Sequence, residues 1–243
     1  WQDPAWIARQ GWPGWREAVN ALHAPAALPD LEPDAPARLR LAYDELLAHQ
    51  LALARRRAVR LDQPAPVLTP GPASQALQDA LPFRLTGAQT RAVGEIRADL
   101  ASGVRMARLL QGDVGSGKTA VAALVMADAA SSGFQSALMA PTEILARQHA
   151  ERLGPLLASA GLTALLLTGR DGAAERRAAL AALADGSVQV AIGTHALFQD
   201  AVAFHRLGLV VVDEQHRFGV DQRSRLQAKG EAVHLLTMSA TPI

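Results

Sequence analysis

Nine consecutive residues, Gln111-Gly112-Asp113-Val114-Gly115-Ser116-Gly117-Lys118-Thr119, contain the spacing G-x-x-x-x-G-K-[ST]. Glycines at these points let successive backbone N–H groups turn inward on an anion, and a helix that follows adds its positive end. Lys118 would reach the terminal phosphates of a nucleotide, and Thr119 would hold Mg²⁺. Only Lys118 and Lys229 are lysines among the chain's 24 cationic residues. The loop therefore keeps the compact ammonium that fits among phosphate oxygens in an otherwise arginine-dominated chain. The competing reading is a plain glycine-rich turn between a strand and a helix.

A second chemical pair stands at Asp213-Glu214, directly after the apolar run Leu209-Val210-Val211-Val212. Mg²⁺ takes oxygen ligands in octahedral geometry, so Asp213 suits it opposite Thr119. Glu214 would orient or deprotonate an attacking water. The alternative is an acid pair capping a strand turn.

Strands and helices must position these groups. Residues 106–110, 136–140, 162–167, 188–192, 207–212 and 233–238 read as strands, several as continuous apolar runs. Helical stretches at 120–131, 143–157 and 173–183 lie between them. That alternation predicts an α/β fold with a mostly parallel sheet covered by helices on both sides. Polar clusters follow each strand: the phosphate loop, Pro141-Thr142-Glu143, Thr168-Gly169-Arg170, Gly193-Thr194-His195, Asp213-Glu214-Gln215-His216 and Ser239-Ala240-Thr241-Pro242. In a parallel sheet all of these share one rim, where open α/β sheets bind ligands.

The rest of the 243-residue chain bounds the reading. A net charge of +1 argues against a strongly basic, salt-driven polyanion binder and leaves room for a local groove. Without cysteine there are no disulfides or thiolate metal sites, which suits the cytosol. No apolar run reaches membrane-spanning length, and the start lacks a signal-peptide pattern. Residues 1–62 read as a small helical segment in which Trp1, Trp6, Trp12 and Trp15 form a packing core, a docking surface or a base-stacking platform. A helix is expected over 37–57 with an apolar stripe of Leu39, Tyr43, Leu46, Leu47 and Leu51. Its end carries Arg55, Arg56, Arg57 and Arg60, which satisfy the helix dipole or touch phosphates. Residues 63–80, rich in proline at their start, read as a linker, and 81–243 as the nucleotide-binding domain.

The strings 81–89, 111–119, 139–149, 192–199, 213–220 and 238–243 together resemble superfamily-2 nucleic-acid helicases and translocases. Within these the run is most similar to the RecG family of bacterial ATP-dependent DNA helicases, with Asp213-Glu214-Gln215-His216 as a DEQH box. The resemblance is dense over 81–243 and looser over 1–62. It implies a P-loop NTPase (RecA-like) lobe that uses ATP and Mg²⁺, and a cytoplasmic, nucleoid-associated, monomeric enzyme that remodels branched DNA in repair and recombination. Phe83 would then stack on adenine and Gln89 bond its edge, although Thr86-x-x-Gln89 is equally a capping box. Gln215 and His216 would sense the γ-phosphate and relay its state to Ser239, Ala240 and Thr241. Thr142, Gln148, Thr168, Gly169, Thr194 and His195 would line a DNA strand's track, touching phosphates without reading sequence. Thr142 also suits a helix cap, and His195 a packed turn.

The chain is expected to be a piece of a longer protein, lacking a second motor lobe with its arginine finger and a DNA-gripping wedge domain. Losing a trans arginine costs on the order of 10³ to 10⁵ in rate in related NTPases. These 243 residues alone should therefore bind Mg·ATP weakly, hydrolyse it slowly and unwind nothing. Two other readings are a transcription-repair coupling translocase motor and a P-loop ATPase that does not act on nucleic acid. The first is disfavoured by Gln215-His216 and Pro141-Thr142-Glu143, the second by the number of strand-end clusters.

Overall fold

The computed structural model describes residues 2–61, 64–169, 172–213 and 232–240. They divide into two compact units, 1–60 and 61–243. No helix among the described residues is long and apolar enough to cross a membrane.

The first unit contains α1 (Pro4–Arg9), α2 (Trp15–His23) and α3 (Pro36–Leu61). Asp3 caps α1, its Oδ1 accepting from the Ala5 N–H at 2.9 Å. Trp6 packs edge-on against Trp12 with ring centroids 5.3 Å apart, and Tyr43 of α3 lies 4.6 and 5.4 Å from the two. Of the expected tryptophan cluster these two form a packing core, while Trp15 is 60% exposed and Trp1 lies outside the described residues. The apolar stripe predicted for α3 is not its buried face: Leu39, Leu46 and Leu51 are exposed. Arg40 and Asp44 are buried instead, paired one turn apart with Gln2 on Asp44. A charge pair held at i and i+4 can occupy a buried seam where propensity alone points to leucine. The side chains of Arg56, Arg57 and Arg60 lie outside the description.

The second unit is built on β1 (Ala107–Gln111), β2 (Gln135–Met139), β3 (Ala164–Leu167), β4 (Val190–Gly193), β5 (Leu207–Asp213) and β6 (His234–Ser239). All pairings are parallel, in the order β1-β6-β5-β2-β4-β3. Its helices are α4 (Pro72–Asp79), α5 (Gly87–Leu100), α6 (Lys118–Ser131), α7 (Glu143–Ser159) and α8 (Ala173–Ala184). The continuous apolar strands follow from burial on both faces. Leu138, Ile192, Leu209 and Val211 enter a core with α5, α6 and α7, whereas Ala137, Met139, Ala191, Val210 and Val212 enter a second core with α8. The central helix α6 is buried from Ala120 to Ala129. Its one buried carboxylate, Asp128, receives a two-pronged contact from Arg97 of α5 at 2.8 and 3.1 Å.

The segment expected to be a linker is part of this unit. Leu68 and Leu77 are fully buried in the first core. The Leu68 N–H donates to Leu100 O at 3.1 Å, and α4 packs on α6. Prolines suggested an open connection, but Pro72 stands in the first turn of α4, where a missing N–H costs nothing. His234 of β6 pins the same segment from inside the sheet. Its Nε2–H donates to Pro66 O at 2.7 Å, and its Nδ1 accepts from the Met106 N–H at 3.1 Å. Burial pushes this imidazole below its usual pKa, Arg105 adds to that, and the Pro66 carbonyl and Asp99 partly oppose it.

Candidate functional site

Strand order sorts the rim clusters into two neighbouring groups. β1, β6 and β5 carry the phosphate loop, Ser239-Ala240 and Asp213, with Gln111 opposite Ser239 and Asp213 opposite Met238. β2, β4 and β3 carry Thr142, Thr194-His195 and Thr168-Gly169, with Met139 and Leu167 both opposite Gly193. Three adjacent strand ends thus carry the groups expected for a nucleotide, and the next three are followed by the residues expected for a strand track.

The phosphate loop leaves β1 with the Gly112 N–H donating to Ser239 O at 3.2 Å and enters α6 through Gly117 at φ +82°. That φ is left-handed, and a Cβ there would also push the Gln89 amide aside, so glycine is favoured at this position. A Cβ on Gly112 would stand 2.8 Å from Ser116 Oγ. The Lys118 ammonium folds back on the loop, donating to Gly112 O at 2.6 Å and Asp113 O at 2.9 Å. Val114 is 91% exposed at the loop's tip. The loop forms one wall of a cleft of about 670 Å³ that also takes in Phe83, Thr119, Asp213 and Ala240.

Gln89 forms the capping box at the start of α5. Its Oε1 accepts from the Thr86 N–H at 2.8 Å, and its own N–H donates to Thr86 Oγ1 at 3.3 Å. Its Nε2 then donates to Ser116 O at 2.8 Å, so the same side chain braces the phosphate loop. Phe83, half exposed, lies on the wall of the same cleft.

The acid side of the cleft holds a residue that sequence reasoning missed. Asp213 Oδ2 lies 2.8 Å from Nε2 of His149, a nearly buried residue two turns into α7. A histidine inside a helix carries no spacing signal. Only the packing of α7 beside the end of β5 brings the two together. Leu145, Gln148 and Arg152 of the same helix also line the cleft. Gln148, expected on the strand track, therefore also faces the cleft that the phosphate loop walls.

On the track side, Thr142 is exposed and caps α7, its Oγ1 accepting from the Leu145 N–H at 3.3 Å. Gly169 is exposed, and a Cβ there would lie 3.5 Å from the Glu143 carboxylate, so the start of α7 comes up to the turn after β3. His195 is exposed at the start of a short 3₁₀ turn. Thr168 and Thr194, by contrast, are 0% and 2% exposed, so their hydroxyls face the interior and not a surface groove. Both follow strands that run into the core, and the chain turns outward only one residue later. Glu214, Gln215, His216, Arg170 and Thr241 lie outside the described residues.

Comparison with known proteins gives this arrangement a family. ATP-dependent DNA helicase RecG of Acidithiobacillus ferridurans is 50% identical over 234 residues, 96% of this chain and 34% of that protein. The RecG of Escherichia coli K12 is 48% identical over 236 residues, 93% of this chain and 34% of that protein. The chain thus spans about a third of the length of these relatives. A solved structure of RecG bound to a three-way DNA junction matches with a TM-score of 0.81 at 42% identity, covering 100% of this chain and 32% of that one. The fold is accordingly the RecA-like helicase lobe. A family model described as DEAD/DEAH box helicase matches residues 86–243, well over half of the sequence, and the chain belongs to that family.

Proposed function

We propose that this chain carries the first motor lobe of an ATP-dependent DNA helicase or translocase of RecG type. It would couple ATP hydrolysis to remodelling of branched DNA, such as stalled forks and Holliday junctions, in recombination and repair. The observation that carries the reading is the strand order, which sets the phosphate loop, Ser239 and Asp213 at the ends of β1, β6 and β5 and the turns of Thr142, His195 and Gly169 after the adjoining β2, β4 and β3. Similarity to a RecG bound to a three-way DNA junction supports branched DNA as the substrate class. The partners within such a protein would be a second motor lobe and a wedge domain. The enzyme would work as a monomer at the nucleoid of the bacterial cytoplasm.

In this reading Lys118 exchanges the carbonyls of Gly112 and Asp113 for the terminal phosphates of ATP, while the N–H groups from Val114 to Thr119 surround the anion. Phe83 offers a face to adenine, and the second amide N–H of Gln89 meets the base edge. The Thr119 hydroxyl and Asp213 carboxylate supply the sparse oxygen set that Mg²⁺ accepts when phosphates and water complete its octahedron. Bound there, Mg²⁺ would neutralise charge on the phosphates during transfer. Glu214 orients the attacking water and takes its proton. Gln215 and His216 sense loss of the γ-phosphate and pass it to Ser239, Ala240 and Thr241. The Thr142 hydroxyl, the start of α7, Gly169 and His195 contact strand phosphates, while the buried Thr168 and Thr194 shape the turns that present them.

ATP hydrolysis by the full-length protein, with and without a three-way DNA junction, tests this. Stimulation by the junction that vanishes in Lys118→Ala is expected. Lys118-dependent hydrolysis indifferent to DNA would instead indicate a P-loop ATPase acting elsewhere.

A further inference from the structure

The contact between His149 and Asp213 is not used by any step above, yet it joins the acid to a different element from the strand that carries it. The Asp213 carboxylate stands at the last position of β5, with a side chain 14% exposed, and His149 reaches it from α7 with a side chain 11% exposed. An ionised carboxylate only accepts hydrogen bonds, so the imidazole must supply the Nε2–H. That bond engages Oδ2 at 2.8 Å and leaves Oδ1 for another ligand. A carboxylate at a strand end rotates about its own bonds unless one oxygen is held. Among the described residues His149 is the group shown holding it.

We infer that His149 is a positioning residue for the metal half of the nucleotide site: by holding Oδ2 of Asp213 it fixes the carboxylate in the orientation that receives Mg²⁺ with the nucleotide. The inference rests on the nucleotide reading given above and adds a residue to it. Residues that hold a metal-ligating carboxylate in place are typically worth about 10- to 100-fold in metal affinity. The contact also has a consequence for communication. His149 lies seven residues from Thr142 along α7, about 10 Å at 1.5 Å per residue, so one rigid helix runs from the expected strand track to the acid. Displacement of α7 at its capped end would be felt at Asp213.

The test uses the full-length protein and two replacements at one site. His149→Phe fills the volume without a donor, and His149→Gln keeps an N–H. Mn²⁺ binding to the ADP complex, followed by electron paramagnetic resonance, reads metal affinity. Binding of a fluorescent ADP analogue in EDTA reads the phosphate loop alone. His149→Phe is expected to weaken Mn²⁺ binding by about tenfold or more with the EDTA affinity unchanged, and His149→Gln to restore most of it. Equal Mn²⁺ affinity in wild type and His149→Phe overturns the inference, as does equal loss in both variants. Wild-type protein with ¹⁵N-labelled histidine gives a reading that needs no variant. The His149 Nε2 signal should be protonated and should shift when Mg·ADP replaces ADP, and an unmoved signal counts against the role. If Lys118→Ala leaves nucleotide binding in EDTA intact, the nucleotide reading itself fails, whatever His149 does.

Discussion

At the scale of single residues the site depends on where backbone and side chain leave no second choice. Gly117 combines a left-handed φ with an amide packed against its Cα. Gly117→Ala should cost about 1 to 2 kcal/mol of local strain and push Gln89 off Ser116, roughly a tenfold loss of affinity for a fluorescent ATP analogue. Unchanged affinity would show that the loop tolerates a Cβ. His234 makes a prediction of another kind. Its pKa is lowered in the folded protein by burial, while the unfolded chain keeps the ordinary value of about 6.5. Above about pH 6.5 the ring is neutral in both states and its bonds to Pro66 and Met106 contribute in full. As pH falls below that, the unfolded chain takes up a proton that the folded protein refuses, and stability drops until the folded pKa is passed. Urea midpoints at pH 7.5 and 5.5 should differ in that direction, and His234→Gln should flatten the difference. A midpoint that rises on acidification would contradict the assignment.

At the scale of elements the fold holds because buried groups find partners across neighbouring helices and strands. Asp128 sits in the last turn of α6 with no exposed surface, and Arg97 of α5 satisfies both its oxygens. Arg97→Ala should destabilise the second unit by about 3 kcal/mol in urea unfolding, since it leaves an unpaired charge inside. Arg97→Lys should recover only part, because an ammonium cannot span both oxygens in a fork. Much of this architecture was legible in the sequence. The short strand expected at 106–110 and the apolar run at 207–212 appear as Ala107–Gln111 and Leu207–Asp213. The turn after each was marked by glycine or acid. What was misread has physical causes. Proline between 64 and 72 looked like an open connection, but Leu68 and Leu77 bury themselves against α5 and α6. The leucine stripe of α3 had the right period, yet Arg40 and Asp44 took the buried positions by pairing with each other. His149 could not be singled out because its partner lies 64 positions away and meets it only after α7 docks.

At the scale of the whole molecule the proposed reading sets two ligand classes side by side on one rim, and neighbouring strands β5 and β2 mark where one group of clusters meets the other. In that reading a shift in either half would pass through packed elements. β6 joins the phosphate loop to Ser239, and α7 joins Thr142 to His149 and so to Asp213. With an overall charge near neutral, the proposed strand contacts would draw on hydroxyls, backbone N–H groups and helix starts more than on a field of arginines. Since the chain spans about a third of its relatives' length, these 243 residues alone should bind a fluorescent ATP analogue in a Lys118-dependent way and separate no strands. Strand separation by these 243 residues alone would refute the assignment of one half-site to them. The central claim is tested most directly by strand displacement from a fluorescently labelled three-way DNA junction by the full-length protein. Displacement that requires ATP and Mg²⁺ and disappears in Lys118→Ala is the predicted result; displacement that proceeds without ATP, or survives Lys118→Ala, would contradict it.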